Sequence, residues 1–374
     1  MITAPFHLTV DKTSLYKALA HCQGVVERRN TVPILSHVLF EAQAGTLKIT
    51  ATDLDLSLQE TIPANIRMEG NTTVLAHLLF DVVRKLPNGA EIELKVEKEG
   101  EMLLLQSGKS SYTFPCLPPI EFPSMKEEKL PCHFKMKSED LTFLIDKTRF
   151  SMSTEETRYY LNGIFFHKTT DGFLRAVTTD GLRLAQAQVN LPADASAMPS
   201  VIMSRKTIQE LRKLVDETKD ELSIALSENQ VRFTIGATIL ISRLIEGKFP
   251  DYEQVIPFGN DKTLEVNVKA FAEAVDRISL MSTDKLHPIK IHVENQVMSI
   301  SAHSTETGSA VEELDVSYSG DSMDLGFNAR FILDVAQQIS NSTLQFLIGG
   351  PHQAVILKDI EETTSLYVLM PMRV

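Results

Sequence analysis

The chain says nearly the same thing three times, and that constrains its fold more than any other feature of its 374 residues. Asp53 in ITATDLDLSL and Asp180 in AVTTDGLRLA stand 127 residues apart. VVRKL ends at Leu86 and ELRKL at Leu214, an interval of 128. IEFP closes on Pro123 and GKFP on Pro250, again 127. Leu117 in TFPCLP corresponds to Leu244 in LISRLI, and 126 residues further stands Met370 in YVLMP. A fixed period marks tandem copies of one supersecondary unit, each with its own core. Three units follow: 1–127, 128–256 and 257–374. The apolar end of the chain, SLYVLMPMRV, is then the closing strand of the third unit, in the position that TFPCL and LISRL hold in the other two.

Each unit has the same coarse order. Apolar residues at helical spacing (Leu15, Leu19, Cys22; Leu141, Leu144, Ile145; Phe271, Ala274, Val275, Ile278) mark a first helix. Ser138 suits a helix start, because a serine oxygen accepts from free amides. Alternating β-rich runs, a second helix and further strands complete the unit. The turn LPNGAEI puts Gly89 where positive φ is needed. Helices are expected over 11–22, 74–86, 139–150, 205–216, 269–281 and 329–340. The class is α+β, two short helices per unit packed on antiparallel sheets.

The net charge is −12, which speaks against an overall basic nucleic-acid binder and for a soluble cytoplasmic protein. The charge is sorted, however. The six helical stretches carry 13 Lys/Arg against 10 Asp/Glu, and the rest 24 against 39. A mildly basic set of helices fits loose phosphate contact or an ordinary solvated face. Cys22, Cys116 and Cys132, odd in number and without a C-x-x-C, fit a reducing compartment and neither a disulfide framework nor a structural metal. No leader pattern opens the chain, and no run reaches the roughly 18 apolar residues of a membrane span.

Catalytic patterns are scarce. There is no phosphate loop, G-x-G-x-x-G or H-E-x-x-H. Asp53 and Asp55 could share a face and hold Mg²⁺, although such pairs are usually solvated. His21 and Cys22, adjacent on a helix, point about 100° apart and make a poor nucleophile–base pair. Tyr159 and Tyr160 could stack on bases or fill a sheet rim, and FPDY reads first as a turn. A hydrolase using the Asp53/Asp55 pair and a scaffold binding only proteins are the alternatives to a DNA-tethering role. No catalytic residue, metal or cofactor is expected.

Five stretches together carry a resemblance: RYYLNG, TTDGLRLA, GKFPDY, GFNARFILDV and YVLMPMRV. In order and spacing, along the whole chain, they resemble the bacterial sliding clamp, the beta subunit of the replicative DNA polymerase holoenzyme. The resemblance implies a processivity factor, not an enzyme. It implies a head-to-tail homodimer of two three-domain crescents, closed into a ring with helices lining the hole and sheets outside. Duplex DNA would be held topologically, without sequence preference. DNA-facing positions would be Arg29, Arg84, Tyr159, Tyr160, Arg205, Lys206, Arg212 and Arg277. A cleft for short peptides of polymerase, clamp loader and other partners would be formed by Arg158, Leu161, Thr179, Gly181, Arg183, Leu184, Pro250, Val255, Asn328, Phe331, Val368, Met370, Pro371 and Met372. Methionine is flexible and polarizable and suits a surface that takes many peptides. Pro371 cannot donate to a ladder, which places the last strand at an edge open to an incoming chain. The family often has His at the place of Leu182 and a basic residue near Gln254, so the cleft's rim differs here. The dimer interface would set Lys109, Tyr112 and Phe114 against Leu280, Met281, Leu286, Glu306, Glu312 and Glu313.

Overall fold

The computed structural model describes residues 6–28, 31–97, 101–126, 128–218, 220–282, 284 and 286–373. Among them are six α-helices: α1 (Lys12–Cys22), α2 (Ala76–Lys85), α3 (Ser138–Thr148), α4 (Arg205–Asp216), α5 (Val268–Ser279) and α6 (Ala329–Ala336). These are the expected six, with shifted ends. Val74 and Leu75 stay in the strand Gly70–Leu75, paired with His37–Ala42, so α2 starts late. The helix α6 stops at Ala336 because the amides of Ser340 and Asn341 turn to Asp359 Oδ2, 3.0 and 3.1 Å away. Side chains that accept from a backbone amide start four of the helices: Asp11 for α1, Ser204 for α4, Asn267 for α5 and Asn328 for α6. Gly89 has φ +73° as its turn requires.

The chain forms two compact units, one of residues 1–139, 192–198 and 209–244, the other of 140–191, 199–208 and 245–374. The first holds a five-stranded sheet in the order Asn65–Met68, His7–Asp11, Glu91–Glu97, Met102–Ser107, Ser110–Pro115. It also holds an eight-stranded sheet: Cys132–Lys137, Glu221–Leu226, Gln230–Ile235, Thr238–Arg243, Leu56–Pro63, Thr46–Thr52, His37–Gln43, Gly70–Leu75. The second unit holds nine strands in the order Val201–Ser204, Gly163–Lys168, Phe173–Thr179, Arg183–Asn190, Ser365–Leu369, Val355–Asp359, Thr343–Ile348, Lys262–Asn267, Ser317–Ser319. It adds four more: Gly308–Asp315, Val297–Ser304, Pro288–Glu294, Met323–Asn328. Every pairing is antiparallel. The middle repeat thus gives strands to both long sheets.

The long sheets are made by one join used twice. Thr238–Arg243, closing the second repeat, pairs with Leu56–Glu60 of the first, Leu240 opposite Leu58. Ser365–Leu369, closing the third, pairs with Arg183–Ala187 of the second, Tyr367 opposite Ala185. One further bond repeats as well: Thr61 N–H donates to Ala237 O (3.3 Å), and Gln188 N–H to Thr364 O (2.9 Å). This corrects the expectation of an edge strand at the chain end. Ser365–Leu369 has neighbours on both sides, and Pro371 lies just past the ladder.

Among the described residues, two strands lack the neighbour that their counterparts have. Ser110–Pro115, closing the first repeat, ends the five-stranded sheet, and Gly308–Asp315, the third repeat's version of Leu56–Pro63, ends the four-stranded one. Within their hairpins Tyr112, Leu240 and Tyr367 hold the same place, opposite Leu105, Phe233 and Leu357. Leu240 and Tyr367 are 0% exposed, whereas Tyr112 is 39% exposed. The phenol of Tyr367 is covered in part by Phe150, ring centroids 5.7 Å apart.

A cation secures each join. The tenth residue of the first helix is His21 in α1 and Lys147 in α3. His21 Nδ1 meets Glu60 Oε2 at 2.6 Å and its Nε2 meets Glu217 Oε1 at 2.8 Å; Lys17 Nζ adds a 2.6 Å contact to Glu217. Lys147 donates to Gln338 O and to Ser340 Oγ. An imidazole with a carboxylate at each nitrogen must donate from both, so His21 is a cation. Burial alone would lower its pKa, but the hydrogen bonds to Glu60 and Glu217 outweigh it and raise the pKa. A raised folded pKa gives stability that is complete below the unfolded value of about 6.5 and is lost as pH climbs through the folded value. Removing Glu217's charge with Glu217→Gln should lower the titration midpoint of His21, read by NMR of its ring protons, and flatten the stability loss above about pH 6.5. Equal midpoints in the two proteins would refute this account of the join.

Candidate functional site

Between strands Phe173–Thr179 and Arg183–Asn190 the chain makes a tight turn. Asp180 Oδ1 accepts from the amides of Leu182 (3.0 Å) and Arg183 (3.1 Å), and Thr179 Oγ1 accepts from Gly181 N–H at 3.1 Å. Gly181 takes φ +91°, and a Cβ there would stand 2.6 Å from Arg158 Nη1. The turn forms one lip of a groove of about 240 Å³. The groove is lined by Arg158, Tyr160, Leu161, Thr179, Gly181, Leu182, Arg183, Leu184, Pro250, Asp251, Tyr252, Val255, Val368 and Met370.

Ten of the fourteen cleft residues expected from sequence meet here, and four do not line it. Asn328 caps α6 through Arg330 N–H, and Phe331 lies behind Arg183, whose guanidinium carbon is 4.2 Å from its ring centroid. Pro371 and Met372 pass the ladder's end, Met372 N–H donating to Gly326 O at 2.9 Å. Tyr160, expected on DNA, is among the residues that line the groove. Leu182, expected at the cleft's rim, lines it, and so do Asp251 and Tyr252 of FPDY, which were not placed in the cleft from the sequence.

The groove is rigid beneath and apolar above. Arg183 is fully engaged: Nε to Asp180 Oδ2 (3.0 Å), Nη1 to Asp334 Oδ2 (2.6 Å) and Nη2 to Phe150 O (2.8 Å), with the Phe150 and Phe331 rings nearby. Tyr252 accepts from Arg175 Nη1 at 3.0 Å and contacts His167 Nε2 at 2.9 Å, while burial pushes its phenol pKa up. Phe249 stacks on Phe165 with centroids 4.7 Å apart. Above this floor Leu182, Val255 and Met370 stand 54%, 54% and 47% exposed. Exposed apolar side chains clustered around a concavity mark an interaction site. Arg158 supplies the charge at the rim, its Nε and Nη2 held by Glu155 at 2.8 and 2.7 Å.

The residues expected on DNA are mostly engaged within the chain. Arg29 lies outside the described residues. Arg84 is exposed and bonds Asp81 at 3.1 Å, and Tyr159 is exposed against Tyr160. Arg205 donates to Met152 O and Ser153 O, both 2.9 Å, and burial lowers its pKa. Lys206 is half-buried, and Arg212 pairs with Asp216 at 3.0 Å. Arg277 is held twice by Glu312, at 2.9 and 2.7 Å. Of the expected interface residues, Lys109, Tyr112, Leu280, Leu286 and Glu306 are exposed. Phe114, by contrast, is buried in its own sheet, and Met281 is partly buried against the core of the third repeat.

The catalytic alternatives lose their geometry. Asp53 is in a turn, not a strand, with Oδ1 accepting from Asp55 and Leu56 amides, and Asp55 faces Arg243 at 3.6 Å. The ring nitrogens of His21 are given to glutamates, and burial pushes the Cys22 thiol pKa up.

The groove's lip gives a direct test. Gly181→Ala must strain positive φ and crowd Arg158, so it should destabilise the turn by more than about 1 kcal/mol. Chemical denaturation and a crystal structure of the variant check it. An unmoved Arg158 at unchanged stability would contradict the geometry.

Three family models cover nearly all of the chain: the DNA polymerase III beta subunit N-terminal domain over residues 6–126, the central domain over 135–251 and the C-terminal domain over 253–373. The beta sliding clamp of Caulobacter vibrioides is 42% identical over 370 residues, 98% of this chain and 100% of that protein. That of Escherichia coli K12 is 35% identical over 368 residues, 98% of this chain and 99% of that one. A crystal structure of the clamp from Bartonella birtlesii bound to griselimycin matches with a TM-score of 0.96 at 42% identity, covering 99% of this chain and 100% of that chain. With three consecutive tandem domains and a fold and sequence shared end to end, the chain belongs to the beta sliding clamps, processivity subunits of DNA polymerase III that are not enzymes.

Proposed function

We propose that two copies of the chain close head to tail into a ring around duplex DNA, and that the groove holds polymerases, the clamp loader and other partners to it by short peptides. The observation that carries this is the pair of unpaired edges. Each strand lacks the neighbour that its counterparts have inside the chain, and each is what the other lacks. Extending the internal joins to two copies sets Ser110 opposite Glu312 and Tyr112 opposite Ala310, with Glu313 N–H reaching Lys109 O. Phe150, the thirteenth residue from the start of α3, covers Tyr367; Leu280, the thirteenth from the start of α5 and 76% exposed, would cover Tyr112 in the same way. An open strand edge beside exposed apolar residues is unstable in isolation and is satisfied by pairing.

The three domains would be 1–127, 128–256 and 257–374, which the family matches at 6–126, 135–251 and 253–373 support. A threaded ring needs little affinity, so a net charge of −12 is no obstacle, and it raises a bound polymerase's local concentration at the primer end. Arg29, Arg84, Tyr159, Lys206 and Arg212 are the DNA-facing positions, with Arg205 in a supporting place behind them. The ring works in the cytoplasm and needs no cofactor. The peptide, Gln-first with Leu and Phe near its end, would put its apolar side chains against Leu161, Leu184, Pro250, Val255, Val368 and Met370. Its other end would lie near Arg158, Asn328, Pro371 and Met372.

Leu280→Asp should convert a dimer of twice 41.7 kDa into monomers by light scattering, since a buried unpaired charge costs several kcal/mol. The same variant, loaded on circular duplex, should lose the salt-resistant retention that the wild type keeps on circles and loses on linear DNA. A dimeric variant, or equal retention on circular and linear DNA by the wild type, would sink the ring. Deleting residues 370–374 should weaken a partner peptide by about 2–4 kcal/mol in calorimetry and leave the dimer intact. Unchanged peptide affinity would make the tail ordinary core.

A further inference from the structure

Arg277 is the tenth residue of α5, the position that His21 and Lys147 hold in α1 and α3. Those two cations each reach the segment that follows the second helix of the next repeat. His21 meets Glu217, thirteenth from the start of α4, and Lys147 meets Gln338 O and Ser340 Oγ, tenth and twelfth from the start of α6. The pairing acid is matched as well. By strand register Glu60 and Glu312 occupy one position: Glu60 is opposite Ile49 and Glu312 opposite Ile300. His21 bonds Glu60 and Arg277 bonds Glu312, in each case from helix to strand of one repeat. Among the described residues no further repeat follows to receive Arg277 in this way.

The receiving side exists and is open. Where Lys17, His21 and Glu60 enter the second repeat, they close a groove of about 220 Å³ against Glu217 and the hairpin turn around Gly236. The first repeat has the same groove, between Pro87, Ala90 and the turn around Gly108, and both glycines take φ +56°. There it measures about 580 Å³. Asn88 is thirteenth from the start of α2, as Glu217 is from the start of α4; it sits between the groove residues Pro87 and Ala90, and its Oδ1 accepts from Lys12 Nζ at 3.1 Å.

We propose that Arg277, held by Glu312, seats in the Pro87–Gly108 groove of a second copy and binds the C-terminal end of its α2 beside Asn88. The contact rests on the ring reading above and names the ionic part of its closure. Nε and Nη2 of Arg277 are given to Glu312, which leaves Nη1 to point onward. The last carbonyls of a helix lack intrahelical donors and carry the negative end of its dipole, so a guanidinium is well received there. This gives Arg277 a protein partner in place of the DNA contact expected from sequence.

A double-mutant cycle on the full chain tests it, without DNA, by the dimer dissociation constant in sedimentation equilibrium. Arg277→Ala should raise that constant about tenfold. Asn88→Glu, restoring the acid that Glu217 supplies at the internal join, should lower it about threefold, and Asn88→Lys should raise it. Both Asn88 effects should vanish in the Arg277→Ala background, which a role confined to one chain's own fold would not produce. A dimer constant indifferent to Arg277→Ala, or Asn88 effects unchanged in its absence, overturns this contact and leaves the ring standing. A monomeric wild type overturns the ring and the contact together.

Discussion

Everything in this molecule hangs on one backbone pairing: the closing strand of a repeat lies antiparallel against an earlier repeat's strand. A strand edge carries a row of unpaired amides and carbonyls that must meet water or another strand. Tandem copies of one such unit solve the problem by covering each other, and a finite chain always leaves one edge of each kind at its ends. Thr238–Arg243 and Ser365–Leu369 are covered; Ser110–Pro115 and Gly308–Asp315 are not. These two edges, rather than any special residue, are what the proposed second copy would cover.

The groove shows how identical joins acquire different tasks. At the join of the first two repeats Arg243 N–H donates to Asp55 O (2.8 Å), and at the next Met370 N–H donates to Leu182 O (3.0 Å). The backbone contact is the same. The side chains are a surface ion pair at the first, Arg243 with Asp55 at 3.6 Å, and two exposed apolar groups at the second. Only the second offers a peptide a dry surface. Its floor is held by the hydrogen bonds and ion pairs of Arg183 and Tyr252.

The repeat was legible because a period survives as matching short strings, Asp53 with Asp180 and Leu86 with Leu214. So were the six helices, whose apolar spacing is local. The edge position of the last strand was misread because Pro371 says only that Pro371 cannot pair; it says nothing of the residues before it, and Leu369 is opposite both Arg183 and Val355. Phe114 was misplaced for a related reason. Tyr112 and Phe114 share a face, and only the three-dimensional end of the sheet decides which of them is uncovered. Side-chain engagement was not legible at all: that Arg205 turns inward to two carbonyls depends on residues some fifty positions away.

The join between copies is not a perfect third instance. By register Met370 matches Arg243, not the Leu244 expected from the sequence, and in the first repeat that place falls to Pro115, since Phe114 is opposite Leu103 as Ser242 is opposite Val231. Proline has no N–H, so the bond that ends both internal joins cannot form there. One net hydrogen bond is worth about 0.5–1.5 kcal/mol, and its absence would weaken the proposed join between copies by that amount relative to the two internal ones. A ring that must open to be threaded should yield between its chains and not within them. In the proposed dimer, Pro115 would set that order with a single residue.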